Sequence, residues 1–398
     1  MLTAGTNGIV GRVFGEHDEA TLAQLRDVAS RAVRVALMAD GHLGYVMPIG
    51  GVAAYREQVS VVGVGFDIAC GNAAILTDLT LDSGVDLPGL ADAVAGLLSF
   101  GVGGTNLLPD APSDHRLFRS PAWEHVPREH RDKLRDRARA QLGSIGSGNH
   151  YVDVFSDELG RLWVGVHFGS RGLGHAVASG FMALAQGQRW GDRTREVEAL
   201  LDLDSELGHQ YWELMSLAGT YAYAGREWVA RKVVELMGGR ELDLVHNHHN
   251  FAWREGHFGE ELIVVPKGAT PAFPGQRGFV GGSMGDDSVI LQGSHARSED
   301  QQAALFSTVH GAGRVMSRTE AAGRRRGRRG QRSRGSVSAE MLRAWVEEKG
   351  VILRGGGRDE APQVYRRLGD VIAAQGDTIE VLHTLRPLVV VMDPAGPR

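Results

Sequence analysis

The most reactive side chains of this chain cluster around its single cysteine. Cys70 follows Asp67 by three positions within residues 64–71, so a carboxylate and a thiol share one glycine-flanked turn. A single cysteine cannot form an intrachain disulfide, and it cannot build a Cys₄ zinc site. Cys70 is therefore either a reactive thiol or one ligand of a mixed sulfur, nitrogen and oxygen site, and the rest of the chain favours the ligand.

Histidines supply candidate partners in four glycine-containing or amide-containing segments, which are residues 146–150, 167–172, 246–250 and 310–314. Imidazole, thiolate and carboxylate together suit borderline ions such as Mn²⁺, Zn²⁺ or Fe²⁺ better than Mg²⁺ or Ca²⁺. A single histidine of this kind is more often a hydrogen-bonded core residue. Four segments that pair histidine with glycine, amide or guanidinium groups together predict a metal centre.

Periodicity and turn residues predict the elements that must position these segments. We expect helices over residues 20–38, 86–99, 127–142 and 191–238, and a glycine-punctuated loop over 40–51. A buried strand over 59–66 would deliver Asp67 and Cys70 at its end. Strands over 151–155 and 161–166 would let His150 open one strand and His167 close the next.

Further short strands are expected near residues 262–265, 288–292, 350–354, 378–382 and 387–392. Helices and strands do not alternate cleanly along the chain. We therefore expect an α+β fold, with mixed β-sheets and flanking helices, in one large domain over residues 1–398.

Composition is ordinary except for glycine, with 55 residues of 398, and for one block of arginines. Residues 324–334 carry seven arginines and no acid, which is a charge of +7. The net charge of the whole chain is −5, so the remaining residues carry −12. This block, inside an Arg/Gly-rich loop over 322–336, is either a solvated loop or a contact to a phosphate backbone. A chain with one cysteine, no signal peptide and no long apolar run is expected to be cytoplasmic, without a membrane span.

The Cys70 segment, the four histidine segments and the glycine-rich turns between them, taken in order along the chain, resemble the RtcB family of RNA ligases. These enzymes join an RNA 3′-phosphate or 2′,3′-cyclic phosphate end to a 5′-hydroxyl end. The resemblance runs from about Asp40 to the last strand. Its motifs are DGHLG at 40–44, GFDIACG at 65–71, GSGNH at 146–150, HFGSRGLG at 167–174, HN at 249–250, KGAT at 267–270, GSMG at 282–285 and HGAGRVMSR at 310–318.

The resemblance implies two Mn²⁺ ions that share the Cys70 thiolate, and paired cations can stabilise attacking and leaving oxygens in line. The implied ligands are Asp67, Cys70, His150, His167 and His249. Three other histidines are expected to be structural or to support the ligands: His246, His248 and His257.

The resemblance also implies GTP as cosubstrate. His310 would attack its α-phosphate and form a covalent His–GMP, and GMP would pass to the RNA 3′-phosphate before the 5′-hydroxyl displaces it. Asp40 occupies the place proposed to handle that hydroxyl. The implied nucleotide contacts are Asn149, Asp153, Ser288 and Tyr365, and the implied phosphate or RNA contacts are Arg171, Lys267, Arg314 and Arg318. The partners would be RNA ends and an archease-type activator.

Three positions depart from the family pattern. Met392 stands where a lysine usually meets guanine, Asp153 replaces a glutamate, and Pro266 precedes Lys267 where arginine is common. These departures predict a divergent paralogue with altered base recognition.

Three other functions remain open. A metal-dependent phosphohydrolase acting on cyclic phosphate ends would need the metal ligands but not His310. An RNA-end-binding protein without turnover would need neither reaction step. Cys70 could also act as a redox nucleophile without any metal.

Overall fold

The computed structural model describes residues 11–323, 325–326, 331–332 and 335–394. The strands, in chain order, are β1 Gly11–Val13, β2 Arg34–His42, β3 Ile49–Tyr55, β4 Gln58–Ser60, β5 Gly71–Thr80, β6 Tyr151–Ser156, β7 Arg161–Phe168, β8 Leu200–Asp202, β9 Glu241–His248, β10 Trp253–His257, β11 Glu260–Lys267, β12 Ala269–Pro271, β13 Arg277–Val280, β14 Ser288–Gly293, β15 Ser307–Val309, β16 Arg325–Arg326, β17 Gln331–Arg332, β18 Ile352–Arg354 and β19 Ile379–Met392.

The α-helices are α1 Glu19–Ala29, α2 Val61–Val64, α3 Leu87–Leu97, α4 Arg128–Gln141, α5 Arg171–Ala185, α6 Glu206–Leu236, α7 Glu299–Ala303, α8 Arg318–Ala322, α9 Ala339–Lys349 and α10 Leu368–Ala374. Short 3₁₀ helices cover Leu81–Ser83, Arg116–Arg119, Pro121–His125, Arg358–Glu360, Pro362–Val364 and Gly376–Thr378. Within these described ranges, no helix combines the length and the apolar character needed to cross a bilayer.

Two sheets hold most of the strands. The larger has the order β13-β14-β19-β6-β7-β5-β9, with antiparallel neighbours, and β18 pairs in parallel with β19. The smaller has the order β1-β2-β3-β11-β10, in which β1 and β2 are parallel. Three two-stranded pairs are β4-β8, β12-β15 and β16-β17. Mixed sheets packed with helices confirm the predicted α+β fold.

Helix α6 backs the larger sheet at the strands that carry the site. Ser205 caps its start by accepting a hydrogen bond from the backbone N–H of Gly208 at 3.0 Å. Leu214, Ala218 and Val229 on its inner face are fully buried, and the helix packs on β5, β7 and β9. Burying a Leu or Val side chain stabilises the fold by about 1.5–3 kcal/mol, so this face makes a firm backing for the strand ends.

The predicted helix over 20–38 is wrong beyond Ala29, where α1 ends. Asp18 caps α1 by accepting a hydrogen bond from the backbone N–H of Thr21 at 2.7 Å. Residues 35–41 belong to β2, which is buried throughout between β1 and β3. A strand buried on both faces is a continuous apolar run, and periodicity does not separate it from a buried helix. The predicted loop over 40–51 is wrong at both ends, because β2 reaches His42 and β3 begins at Ile49.

The predicted strand over 59–66 is wrong after Ser60, since α2 follows at once. The Ser60 Oγ accepts a hydrogen bond from the backbone N–H of Gly63 at 2.8 Å, and Gly65 leaves the helix with a φ of 88°. The predicted helix over 191–238 begins only at Glu206, because residues 200–202 form β8 beside β4.

The other predicted elements are confirmed. Helices over 86–99 and 127–142 are α3 and α4, and strands β6, β7, β11, β14 and β18 lie where they were expected. The strands expected over 378–382 and 387–392 are one strand, β19, with a register shift between Pro387 and Val389. About half of the predicted Arg/Gly-rich loop over 322–336 lies outside the described residues, and its described part includes the pair β16-β17.

Candidate active site

A cavity of about 740 Å³ brings together segments from distant parts of the chain. Most of the predicted site residues line it, namely Asp67, Cys70, Asn149, His150, Asp153, His167, His249, His310, Arg314, Arg318 and Tyr365. The remaining four lie behind the cavity lining: Asp40, Arg171, Lys267 and Ser288.

Backbone hydrogen bonds fix Cys70 against the His249 segment. The N–H of Cys70 donates to the carbonyl oxygen of Asp67 at 3.0 Å, and Ala69 between them has a φ of 60°. The N–H of His249 donates to the Cys70 carbonyl at 2.8 Å, and that of Ala69 donates to the Asn250 carbonyl at 2.6 Å. The tight turn and the end of β9 are therefore held as one unit.

Cys70 is common to two groups of metal-ligating atoms. One group consists of Cys70, His167 and His249, the other of Asp67, Cys70 and His150, and the atoms of each group lie within 4.8 Å of one another. The Cys70 Sγ lies 3.8 Å from His150 Nε2 and 3.7 Å from His167 Nε2. The donor set of thiol, carboxylate and three imidazoles fits two borderline cations that share the sulfur.

Two glycines make room for this cluster. A Cβ on Gly169 would lie 2.1 Å from Asp67 Oδ1, and a Cβ on Gly146 would lie 2.0 Å from His150 Nδ1. No side chain fits at such distances. At these two positions, the packing of the candidate ligands Asp67 and His150 therefore requires glycine.

His167 and His249 are held as neutral imidazoles. Burial, together with neighbouring imidazoles, lowers the pKa of both well below the ordinary value. The Nδ1–H of His167 donates to Asn72 Oδ1 at 2.7 Å, and Asn72 donates in turn to the Phe279 carbonyl oxygen at 2.8 Å. This chain of contacts leaves the lone pair of His167 Nε2 facing Cys70, as metal ligation requires.

The two acids of the site are poised differently. Burial, with the nearby Asp67 charge, raises the pKa of the Cys70 thiol well above its ordinary value. Burial alone would raise the pKa of Asp67 as well, but the hydrogen bond from His150 at 3.1 Å lowers it. The carboxylate is thus available as an anion, whereas the thiol requires a cation in place of its proton.

His310 is held from behind by Asp40, at the end of β2. The fully buried Asp40 accepts hydrogen bonds through Oδ2 from Nδ1 of His310 at 2.6 Å and from its backbone N–H at 3.0 Å. With Nδ1–H committed to a carboxylate, Nε2 keeps its lone pair. The His310 ring meets that of His249 edge-on, with 4.9 Å between the ring centres. The His310 imidazole therefore stands next to the cluster of candidate metal ligands.

Arg314 and Arg318 meet at Glu360, which the sequence analysis did not single out. Nη1 of Arg314 donates to Glu360 and to the Tyr365 hydroxyl, both at 2.9 Å, and Nη2 donates to the Asp359 carbonyl at 2.7 Å. Nε of Arg318 donates to Glu360 at 2.8 Å, and the Tyr365 hydroxyl also contacts Glu360. Arg314 is thus fixed by its partners, while Arg318 is half exposed.

Strands β6 and β19 form an apolar wall of the cavity. Their register sets Tyr151 against Met392 and Asp153 against Val390, and all four residues line the cavity. Asp153 Oδ1 is buried without a hydrogen-bond partner among the described residues, and burial raises the pKa of this carboxyl well above its ordinary value. The wall therefore offers a ligand a buried carboxyl group, one oxygen of which has no partner among the described residues, beside apolar side chains.

Three of the predicted contacts support the site from behind. Arg171 donates to the Gly101 carbonyl at 2.9 Å, and the buried Lys267 donates to the Val62 carbonyl at 2.7 Å. Ser288 Oγ accepts a hydrogen bond from the backbone N–H of Gly282 at 2.9 Å.

Comparison with known proteins finds a matching family model and similar proteins. The family model described as tRNA-splicing ligase RtcB matches residues 20–393. The chain belongs to the RtcB family. It is 31% identical to the RNA-splicing ligase RtcB of Escherichia coli K12, over 90% of this chain and 89% of that protein. It is 30% identical to the tRNA-splicing ligase RtcB of Thermococcus kodakarensis, over 90% and 86% respectively. The RNA-splicing ligase RtcB of Mycobacterium bovis is 31% identical, over 85% and 91%.

The RtcB family is a family of RNA ligases. The structure also identifies residues of the site that the motifs did not predict. Asn72 orients His167, Glu360 joins the two arginines, and the buried Arg226 of α6 lies behind the ligands. Asn72 stands two residues after Cys70, which could have suggested it. Glu360 and Arg226 lie outside all of the motifs, and the residues around them in the sequence do not indicate a role in the site.

Proposed function

We propose that this protein is a Mn²⁺-dependent and GTP-dependent RNA ligase. It would join RNA 3′-phosphate or 2′,3′-cyclic phosphate ends to 5′-hydroxyl ends through a covalent His310–GMP intermediate, in tRNA splicing or RNA repair. The observation that carries the proposal is the sharing of Cys70 by two ligand groups, with the His310 ring packed against His249. The relatives named RNA-splicing and tRNA-splicing ligases support the reaction class.

Asp67, Cys70 and His150 would hold one Mn²⁺, and Cys70, His167 and His249 the other. The ions would supply positive charge to the phosphate oxygens and raise the electrophilicity of phosphorus. Asn72 keeps the ring of His167 in the ligating orientation, and Asp67 is ionised by its contact with His150.

His310 would act as the nucleophile. Its Nε2 forms the bond to the α-phosphorus of GTP while the bond to the pyrophosphate oxygen breaks. Positive charge then develops on the imidazole, and the Asp40 carboxylate at Nδ1 stabilises it. Because Asp40 is fully buried and engaged by His310, we assign it to this positioning role rather than to direct contact with the RNA 5′-hydroxyl.

The mouth of the cavity would receive the RNA end. Leu43, Tyr45 and Val315 line the cavity yet remain exposed, Tyr45 to 72%. Unpaired bases stack on exposed aromatic rings, and a half-exposed arginine such as Arg318 suits a phosphate. An archease-type activator would act on the same reaction.

The apolar wall would hold the base of the nucleotide. Met392 and Val390 offer dispersion contacts, and the buried Asp153 carboxyl, whose pKa is raised by burial, offers a hydrogen-bond partner to the base. Met392 is uncharged, so the wall lacks the fixed positive charge that a lysine at this position would provide. We therefore expect weaker discrimination between GTP and ATP than a lysine at this position would give.

Labelling with α-³²P-GTP or α-³²P-ATP in the presence of Mn²⁺ tests the proposal. We expect an acid-labile label on the wild-type protein and none on His310→Ala. His257→Gln is the control, because His257 is a more deeply buried histidine that contacts Glu255 outside the cavity, and this variant should label normally. Mn²⁺-dependent opening of 2′,3′-cyclic phosphates that survives in His310→Ala, without any label, would favour the phosphohydrolase instead.

A further inference from the structure

The core behind the ligand cluster contains an arginine with no contact to solvent. Arg226, on α6, is 0% exposed. Its Nη1 donates to the carbonyl oxygens of Ala69 at 2.8 Å and Phe168 at 2.6 Å, and its Nη2 donates to Nδ1 of His248 at 2.8 Å. Its Nε donates to Nε2 of His246 at 2.9 Å. The guanidinium is therefore fully engaged by groups from three separate strand ends.

Each of three acceptors is the sequence neighbour of a candidate metal ligand. Ala69 precedes Cys70, Phe168 follows His167, and His248 precedes His249. The three segments are the start of β5 and the ends of β7 and β9, and β5 lies between the other two in the sheet. One planar group thus touches the backbone or side chain beside every member of one ligand group.

We infer that Arg226 is a positioning residue, which sets the relative placement of Cys70, His167 and His249 for metal binding. The inference rests on the proposed metal centre. A guanidinium presents its donors in a fixed planar fork, so it imposes directions as well as distances on the groups that accept from it. A lysine at the same place has a single ammonium centre and imposes no such plane.

The charge of Arg226 supports this role. Its acceptors are neutral carbonyls and imidazoles, and no carboxylate of the described chain forms an ion pair with it. Burial lowers its pKa to about 10, partly offset by Tyr223, Cys70 and Asp67. A buried cation without a salt-bridge partner is costly compared with apolar packing. Arg226 lies behind the Cys70 thiolate and the Asp67 carboxylate of the proposed metal centre, and its positive charge can stabilise these anions.

Titration of the metal-free protein with Co²⁺ tests the inference, because Cys70 is the only thiol and a thiolate-to-cobalt absorption band reports on it alone. We expect Arg226→Lys and Arg226→Gln to weaken Co²⁺ binding by about 10–100-fold, as the loss of groups that orient ligands does. The energy or intensity of the band should change as well. Melting of each metal-free variant measures the accompanying loss of stability.

Tyr221→Phe is the matched control. Tyr221 lies on the same helix, is equally buried, and donates to the carbonyl of Ala138 at 2.9 Å, a residue of α4 outside the segments that carry the candidate ligands. This variant should melt at a lower temperature and bind Co²⁺ as the wild type does. If Arg226→Gln does not fold, His246→Leu replaces it, because leucine removes the acceptor of Nε and leaves Arg226 in place.

Wild-type Co²⁺ affinity and an unchanged band in the Arg226 variants, or in the His246 variant that stands in for them, would overturn the inference while leaving the metal centre intact. Absence of any thiolate band in the wild-type protein would overturn the metal centre itself, and the inference with it. The two failures are therefore distinct.

Discussion

The Asp40 carboxylate lies 2.6 Å from Nδ1 of His310, and the same oxygen accepts the backbone N–H of His310 at 3.0 Å. The two residues are 270 positions apart, and β2 and the turn after β15 bring them together. Both the tautomer and the direction of the imidazole are thereby fixed before any substrate binds. Such an arrangement is typical of a histidine whose other nitrogen takes part in chemistry.

Asp40→Asn should slow the labelling of His310 by about 10²–10⁴-fold. The amide oxygen can still accept from the ring and backbone N–H groups of His310, but it carries no negative charge to stabilise the positive charge that develops on the imidazole. Single-turnover labelling with GTP measures the rate. Metal content should stay at the wild-type level, since Asp40 belongs to neither ligand group. Labelling at the wild-type rate would remove Asp40 from the mechanism.

Removing Cys70, which both ligand groups share, should cost the protein more bound metal than removing a histidine that belongs to one group only. Cys70→Ala should lose both ions, whereas His150→Asn and His249→Asn should each lose one, because each histidine belongs to a single group. Equilibrium dialysis against Mn²⁺ with elemental analysis counts the ions. His257→Gln is again the control and should retain both. Two ions bound to Cys70→Ala would disprove the shared-thiolate arrangement.

Glu360→Ala should destabilise the fold by about 3 kcal/mol, because it leaves the guanidinium of Arg314 buried without its partner. Arg318→Ala removes the other side of the cluster, but Arg318 is half exposed, so we expect a loss below about 1 kcal/mol. Urea unfolding of the two variants gives the comparison. Equal losses would mean that Glu360 does not act through Arg314.

Lys267 should make stability depend on pH above 8. Burial lowers its pKa from 10.5 to about 8, so between these values the folded protein releases a proton that the unfolded chain keeps. The unfolded state then binds more protons, and the contribution of Lys267 to stability rises with pH through this interval, by up to about 3 kcal/mol. Below pH 8 both states are protonated and the full cost of the buried charge remains.

Lys267→Gln isolates this contribution, because glutamine can still donate to the Val62 carbonyl and does not titrate. The difference in unfolding free energy between wild type and variant, measured without metal from pH 7 to 10.5, should shift in favour of the wild type. A difference independent of pH would show that Lys267 keeps an ordinary pKa in the fold.

The residues that the structure brings to the cavity were largely predictable, because their chemistry is carried by short local patterns. His150, His167 and His310 each stand in a glycine-containing motif, and the turn that presents Cys70 lies within a few positions. Arg226 and Glu360 were not predictable. Their roles depend on hydrogen bonds to segments tens of residues away, such as Arg226 to Ala69, and no local pattern records those.

The errors in the fold also have a physical origin. The apolar run of β2 looks like a continuation of α1, since a strand covered on both faces shows no alternation. The single turn of α2 resembles a strand, because a valine-rich stretch of four residues is too short to display a helical period. Strands β6 and β7, whose histidines mark their ends, were predicted correctly.

The wide separation of the ligands along the chain has a consequence for the maturation of the protein. The partners of the Cys70 sulfur lie 80 and 97 residues later, and His310 and Asp40 are 270 residues apart. During synthesis Cys70 and Asp67 therefore emerge from the ribosome long before any histidine that could share a cation with them. The larger sheet includes β19, at Ile379–Met392, so it can close around the candidate ligands only when nearly the whole chain has been made. Metal loading of the proposed centre would therefore report completed folding.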